Sequence, residues 1–182
     1  METIKQLERS VKELDRNEWS TPQWLFGYFN AQYHFTLDPC ATPENAKCER
    51  YFTKEQDGLI RSWGRGWAFV NCPYGKGLLD PWVEKVFVEA TLACGSLMLL
   101  PSRTERNWFH RCLKQANEII IIEGRVDFVP PPGVKPSTNR ENSIVVVVEP
   151  GATRNGLTIS SIHVSDLKKG AAGNPRRRVQ NQ

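Results

Sequence analysis

The sequence predicts an α/β protein with a mostly parallel sheet that is covered by helices on both faces. Five apolar runs of four to six residues recur along the chain without the polar alternation of a sheet that has one solvent-facing side. Segments with helical periodicity lie between several of these runs, as in strand–helix–strand units. The chain has 182 residues, 40% of them hydrophobic, which is enough for one core of this kind.

The five apolar runs are the predicted strands. In chain order they cover residues 35–38, 67–70, 96–100, 118–122 and 143–148. The weaker pattern of residues 157–164 predicts an additional strand at the edge of the sheet. Connections that contain helices make the strands they join parallel, which is the basis of the predicted topology.

Four helices are predicted. Residues 3–16 are amphipathic and carry Ile4, Leu7, Val11 and Leu14 on one stripe, a pattern typical of a docking or dimerising helix. Cap residues mark the starts of the other three. The predicted caps are Thr21 before Pro22, Asp80 before Pro81, and Ser102 or Thr104 before a helix that ends at Lys114.

The chain is expected to have three parts. These are an N-terminal helix over residues 1–17, a main domain over residues 18–150 and a basic, partly disordered extension over residues 151–182. The extension holds six Lys and Arg residues against one Asp. Such a charge excess suits a polyanion such as nucleic acid, and the alternative is a solvated end with no partner.

The composition argues against secretion, membrane insertion and metal binding. The N-terminus is charged, and no apolar run is long enough to cross a bilayer. The five cysteines are irregularly spaced, and no pair has the close spacing of a zinc site. We therefore expect a cytoplasmic protein with reduced thiols, no membrane contact and no metal.

Polar residues follow three of the predicted strands at the point where each strand ends. Asp-Pro-Cys-Ala follows the first, Asn-Cys-Pro-Tyr-Gly the second, and Pro-Ser-Arg-Thr the third. Ligands of open parallel sheets bind in the crevice at the carboxyl ends of the strands. Three such endings at one edge favour a binding crevice over three unrelated turns.

The middle ending suits one kind of substrate. The Asn71 side-chain carbonyl and the Cys72 backbone carbonyl are two acceptors next to each other, and Pro73 makes the second one rigid. The Tyr74 ring supplies a flat surface on which a planar group can stack. Two acceptors beside a ring fit an aromatic ring that carries an amino group. Catalysis would then come from positioning and electrostatics.

These residues resemble a known family. Asn-Cys-Pro-Tyr is similar to the Asn-Pro-Pro-Tyr of methyltransferases that modify planar amino groups. The order of the chain resembles the phage and prophage Dam-like, adenine-specific DNA methyltransferases. Seven segments between Trp19 and about Val148 carry the resemblance: WSTPQWLF, FTLDPCATPENAKCERYFT, DGL, FVNCPYG, PWVEK, MLLPSRTERNWFH and EGRVDF.

The resemblance implies a Rossmann-like methyltransferase fold and methyl transfer from S-adenosylmethionine to the N6 amine of a flipped adenine in double-stranded DNA. If the protein is phage-encoded, its place is the host cytoplasm and restriction evasion is one biological role open to it. We expect a monomer or weak homodimer. The alternatives left open are a nucleic-acid-binding module that has lost transfer activity, and a methyltransferase for RNA guanine or protein glutamine.

The resemblance also assigns residues. Asn71, Cys72, Pro73 and Tyr74 form the catalytic segment, in which Tyr74 stacks on the base. The cofactor residues are Trp19, Thr21 and Pro22 on one side, Asp38, Pro39, Cys40 and Ala41 around the methionine part, and Asp57 at the adenine part. Apart from the resemblance, we expect DNA contacts at Arg103, Lys76, Lys135 and Arg140. No insertion large enough for a separate target-recognition domain is visible, so we expect loops such as 75–79 and 130–142 to read the target sequence.

Two departures from the family pattern affect these assignments. Cys72 replaces a proline, but its role requires only a backbone carbonyl, which every residue has. We interpret its thiol as filling space rather than as a nucleophile. Cys40 and Ala41 stand where related enzymes have glycines, so close approach of the backbone to the cofactor is less favoured. Among the tryptophans, Trp63 in a Gly-rich segment is the candidate for stacking on a base.

Overall fold

A computed structural model describes residues 19–136, 139, 141–151 and 156–171. The predicted helix over residues 3–16, the predicted DNA contact Arg140 and parts of the basic extension (residues 152–155 and 172–182) lie outside these residues. Among the described residues, none of the helices is long and apolar enough to cross a membrane.

The described chain forms four helices and five strands. In chain order they are α1 Gln23–Tyr33, β1 Gly66–Val70, α2 Leu79–Thr91, β2 Cys94–Pro101, α3 Asn107–Gln115, β3 Glu118–Glu123, β4 Ser143–Val148, β5 Thr158–His163 and α4 Val164–Gly170. The last four apolar runs of the prediction are confirmed as β1 to β4. The predicted edge strand is confirmed as β5, which pairs with β3.

The strands form one mixed sheet in the order β1-β2-β4-β3-β5. β4 runs antiparallel to both neighbours, and the other four strands share one direction. The physical reason is the connection from β3 to β4, whose described residues contain no helix. A chain that does not cross over the sheet returns in the opposite direction. The α/β class is confirmed, and β4 is the exception to the predicted parallel direction.

Helices cover both faces of the sheet, as predicted. α2 and α3 pack against one face, and α1 and α4 pack against the other. β2 and β4 lie in the middle and are buried along their whole length, which explains their continuous apolar sequence. β5 is an edge strand with mostly exposed side chains.

The predicted strand over residues 35–38 is reduced to isolated bridges. Leu37 pairs in parallel with Ala68 of β1, and Asp38 pairs in parallel with Tyr51. The chain thus runs from residue 37 outward to residue 51, and then returns to β1 on the other side of residue 37. This reversal of strand order is a topological switch point, the place at which open α/β sheets bind their ligands.

The predicted helix caps were wrong. The N-cap residues are Pro22 for α1, Leu78 for α2 and Arg106 for α3, and none of them forms a side-chain cap hydrogen bond. None of these N-cap positions is occupied by a residue that was predicted as a cap. The predicted caps were Thr21, Asp80, Ser102 and Thr104. Asp80 lies in the first turn of α2, where its negative charge interacts favourably with the helix dipole.

Candidate active site

The two polar segments that the sequence places after its first strands meet at the switch point. Burial raises the pKa of the Cys40 thiol well above its ordinary value, and the neighbouring Asp38 and Cys72 raise it further. A hydrogen bond from the Asn71 backbone acts in the opposite direction. The Cys40 side chain, which belongs to the turn at residues 38–41, therefore lies next to the segment at residues 71–75.

Asp38 is the buried acid of this crevice. Its carboxylate accepts hydrogen bonds from the backbone N–H of Lys47 at 3.2 Å and of Cys40 at 3.4 Å. Only 5% of the residue is exposed, and burial raises its pKa from 3.8 to about 6. A cationic ligand beside this carboxyl group would stabilise its ionised form and so offset the cost of its burial.

The turn that contains Asp57 packs directly against the Asp38 turn. A Cβ atom added to Gly58 would lie 2.0 Å from the Pro39 carbonyl oxygen, so only glycine fits there. Asp57 adopts a positive φ of 54° and accepts the Leu59 N–H at 3.0 Å. The predicted cofactor residues on both turns are thereby brought to one place.

Trp63 holds this turn from inside the protein. Its Nε1–H donates to the Gly58 carbonyl at 2.8 Å, and its backbone N–H donates to the buried Glu89 carboxylate at 3.1 Å. The residue is 0% exposed, so the prediction that Trp63 stacks on a base was wrong. Its Gly-rich neighbourhood reflects close packing and not an open binding surface.

Tyr74 is anchored by its hydroxyl group. The Tyr74 oxygen lies 2.8 Å from the Asn71 side-chain oxygen and 2.7 Å from the Leu99 carbonyl oxygen. The ladder between β1 and β2 ends at the Val70–Met98 pair, one residue before Leu99. Burial raises the pKa of Tyr74 well above its ordinary value, so the hydroxyl stays protonated.

Cys72 is buried, with 3% of the residue exposed. Burial raises the pKa of its thiol far above the ordinary range for cysteine. The thiolate is the nucleophilic form of cysteine, and this environment suppresses it. The environment therefore favours the space-filling interpretation over covalent catalysis.

The segment with Trp19, Thr21 and Pro22 enters the fold through a short bridge. Ser20 and Val129 exchange backbone hydrogen bonds of 2.8 and 2.9 Å. Thr21 is buried, and Pro22 starts α1. The Trp19 Nε1 atom is buried and has no hydrogen-bond partner among the described residues, so it is a donor available to a ligand.

The predicted DNA contacts lie in different environments. Arg103 forms an ion pair with Glu141, with Nη2 and Oε1 2.8 Å apart. Lys76 is exposed in the turn after the catalytic segment, and Lys135 is exposed in the loop between β3 and β4. The exposed lysines are free to meet a polyanion, whereas Arg103 is engaged within the protein.

Comparison with known proteins identifies the family. Residues 8–172 match the family described as "DNA N-6-adenine-methyltransferase (Dam)". The chain belongs to this family. The Dam family is a family of methyl-transferring enzymes, and its match covers the predicted catalytic segment and all the predicted cofactor residues.

Two phage relatives illustrate the similarity. The DNA N-6-adenine-methyltransferase of Haemophilus phage HP1 (strain HP1c1) is 29% identical over 165 residues, which cover 88% of this chain and 94% of the relative. The DNA N-6-adenine-methyltransferase of Escherichia phage T1 is 34% identical over 110 residues, which cover 59% of this chain and 45% of the relative. The resemblance to phage Dam-like enzymes is confirmed.

Two partners of the predicted site residues were not predicted from the sequence, namely Leu99 and Glu141. Leu99 contributes a backbone carbonyl, which leaves no mark in side-chain chemistry. Glu141 was passed over inside a polar loop. It could have been found from strand pairing, because an antiparallel pairing of the third and fifth apolar runs brings the residues beyond their ends together.

Metal ligands are not gathered anywhere in the described part of the chain. No group of three or more His, Cys, Asp or Glu side chains there is arranged to hold a metal ion. The Cys40, Cys48 and Cys72 thiols near Asp38 are free cysteines.

Proposed function

We propose that this protein transfers a methyl group from S-adenosylmethionine to the N6 amine of adenine in double-stranded DNA. The observation that carries the proposal is the position of the predicted catalytic segment, residues 71–74, directly against the Asp38 turn at the switch point of the sheet. Membership of the Dam family supports adenine in DNA as the substrate, rather than RNA guanine or protein glutamine.

A Rossmann-like methyltransferase fold is part of this proposal. The parallel bridges of residues 37 and 38 extend the sheet beyond β1, and the strand order reverses there. A doubly wound sheet binds its nucleotide at such a reversal. The helices on both faces are consistent with this architecture.

The residues present fit the cofactor. The buried Asp38 carboxylate suits the positively charged methionine part, and Pro39, Cys40 and Ala41 continue that turn. Asp57 is held beside it by the close contact of Gly58. Trp19 contributes a buried N–H that has no hydrogen-bond partner in the part of the chain that the structure describes, and Thr21 and Pro22 follow it. S-adenosylmethionine would supply there a methyl group that is activated by a positively charged sulfur.

The catalytic segment would hold the adenine amine. The Asn71 side-chain carbonyl and the Cys72 backbone carbonyl accept its two N–H bonds, and the Tyr74 ring stacks on the base. The amine lies inside the base stack of a DNA duplex, so the adenine must be flipped out to reach these groups. No side chain has to remove a proton before transfer, because the acceptors act by position and charge.

The hydroxyl of Tyr74 orients Asn71 in this scheme. A phenol has one O–H to donate, and the Leu99 carbonyl can only accept. The Tyr74 hydroxyl therefore donates its hydrogen bond to the Leu99 carbonyl oxygen. Turning the Asn71 amide by 180° then directs its NH2 group at the phenol oxygen. The Asn71 carbonyl is thereby turned toward the position proposed for the adenine amine.

DNA would be held largely by charge. Lys76 and Lys135 are exposed on the two loops proposed to read the target, and Arg140 belongs to the second of these loops. The basic extension adds cations that attract phosphates. We propose that the protein acts on DNA as a monomer or weak homodimer.

A methyl-transfer assay tests the proposal. The purified protein is incubated with unmethylated duplex DNA and S-adenosylmethionine with a tritiated methyl group, and the DNA is digested to nucleosides. N6-methyladenine is the expected product, and sequencing that detects the modified base reports the target site. DNA binding without any methyl transfer would instead support a binding module that has lost its activity.

A further inference from the structure

Arg103 and Glu141 form a two-point ion pair beside the catalytic segment. The Arg103 Nε atom lies 2.9 Å from one carboxylate oxygen of Glu141, and Nη2 lies 2.8 Å from the other. Two parallel hydrogen bonds fix the direction of the guanidinium plane as well as its distance. The side chains are 32% and 43% exposed, so the pair is partly shielded from solvent.

The sheet itself sets the pair. β2 and β4 are antiparallel, and their ladder ends with Pro101 opposite Ser143. The Ser102 N–H donates to the Asn142 carbonyl at 2.9 Å, which continues the register by one residue. One step further, Arg103 faces Glu141. Residues 38 positions apart in the chain are therefore neighbours by strand register, not by chance contact of two loops.

The free arm of the guanidinium points to the catalytic segment. Arg103 Nη1 lies 3.5 Å from the Tyr74 backbone carbonyl oxygen. At the other end of the same residue, the Tyr74 hydroxyl lies 2.7 Å from the Leu99 carbonyl oxygen on β2. Both ends of Tyr74 are thus attached to β2 or to the residues that directly follow it.

We propose that Arg103 and Glu141 are positioning residues, which hold the Tyr74 backbone so that its ring and Asn71 keep the geometry needed for methyl transfer. The proposal rests on the proposed function and replaces the prediction that Arg103 contacts DNA. A phosphate group would have to displace the Glu141 carboxylate to reach the same N–H groups, and that carboxylate would repel it.

Two single variants separate positioning from DNA contact. Arg103→Gln and Glu141→Gln each break the pair with little change in size. If the pair positions Tyr74, both lower kcat by roughly 10- to 100-fold, because small misplacement at a reacting centre is costly. The dissociation constant for DNA then stays within about twofold of the wild type, and its salt dependence keeps its slope, since no phosphate contact is lost.

A DNA-contacting Arg103 predicts the opposite pattern. Arg103→Gln would weaken DNA binding and reduce the salt slope by about 1, and Glu141→Gln would strengthen binding because it frees the arginine and removes a negative charge. That result would overturn the proposal. The matched control is the exposed Arg111–Glu84 ion pair on α3 and α2, where Arg111→Gln and Glu84→Gln should change neither quantity.

Hydrogen exchange provides a readout that does not depend on activity. In the positioning scheme, Arg103→Gln and Glu141→Gln speed amide exchange across residues 71–78 and leave β2 protected. Unchanged exchange in a folded variant would contradict the proposal even if the wild type transferred no methyl group. Absence of transfer by the wild type would count against the proposed function alone.

Discussion

Gly58 lies directly against Pro39, so closely that an added Cβ atom would be 2.0 Å from the Pro39 carbonyl oxygen. The contact joins the Asp57 turn to the Asp38 turn. The buried Trp63 indole holds the Asp57 turn in place by donating a hydrogen bond to the Gly58 carbonyl. The two halves of the proposed cofactor site are therefore one packed unit. Their geometry depends on the absence of a side chain at a single position.

Gly58→Ala should separate the two turns. The methyl group meets backbone atoms, which cannot move aside as a flexible side chain can. We expect a loss of roughly 1–3 kcal/mol in the free energy of unfolding and at least a 10-fold weaker binding of S-adenosylmethionine, measured by denaturant titration and calorimetry. Gly27→Ala in α1 is the control, because its added Cβ meets nothing within 4 Å and should stabilise the helix. Normal cofactor binding by Gly58→Ala would contradict the assignment.

Removal of the groups that hold the amine should reduce transfer while the protein stays folded. We expect Asn71→Ala to lower kcat by roughly 100- to 1,000-fold, the usual cost of losing one preorganised polar group. Tyr74→Ala should have a comparable effect, because the stacking ring is lost. Single-turnover transfer to DNA provides the measurement, and circular dichroism checks the fold.

Tyr74→Phe distinguishes the ring from its anchor. This variant keeps the stacking surface but loses the hydroxyl that meets Leu99 and Asn71, so it should fall between the wild type and Tyr74→Ala in the same assay. Tyr33→Phe is the matched control, because Tyr33 is buried on the opposite face of the sheet. Wild-type rates for Tyr74→Ala would contradict the placement of the base.

Asp38 should make cofactor binding depend on pH. Burial raises its pKa from 3.8 to about 6, so the carboxylate that attracts the cationic cofactor is lost as the pH falls through about 6. We expect the dissociation constant of S-adenosylmethionine, measured by calorimetry between pH 5 and 8 at about one-unit steps, to rise on the acid side. Asp38→Asn should bind weakly throughout, without this pH dependence. A flat profile for the wild type would rule out a role for this charge.

The same group should lower stability at neutral pH. The folded state holds the proton of Asp38 more tightly than the unfolded state, so its contribution is fully favourable below pH 4 and declines as the pH rises to about 6. Above that, the ionised carboxylate costs up to roughly 3 kcal/mol in the ligand-free protein. Asp38→Asn should therefore raise the melting temperature at pH 8 and give no gain below pH 4. A lower melting temperature at pH 8 would show that the carboxylate hydrogen bonds outweigh its burial cost.

The thiol of Cys72 should be dispensable for transfer. Cys72→Ala keeps the backbone carbonyl, so we expect kcat within about 10-fold of the wild type and a loss of about 1 kcal/mol in stability from the small cavity. Cys112→Ala on α3 is a control for loss of a buried thiol outside the crevice. Complete inactivity of a folded Cys72→Ala, together with a protein–DNA adduct on denaturing gels of the wild type, would restore the covalent mechanism.

Local patterns were sufficient for much of the site. The polar segments that begin at Asp38 and Asn71 could be predicted because each one directly follows an apolar run in the sequence. The structure confirms four of the five runs as strands and brings both endings together. The helix caps were misplaced because a cap depends on where packing lets the helix begin, which the cap residue alone does not decide.

The sequence by itself determined the α/β class, the order of the strands along the chain and the residues offered at the carboxyl edge of the sheet. Periodicity and turn chemistry are local, so they can be read without the fold. Only the tertiary structure decided the direction of β4, the burial of Trp63 and the pairing of Arg103 with Glu141. Each of these depends on strand register and packing between distant residues. Register explains why Arg103, which was predicted to contact DNA, lies opposite Glu141.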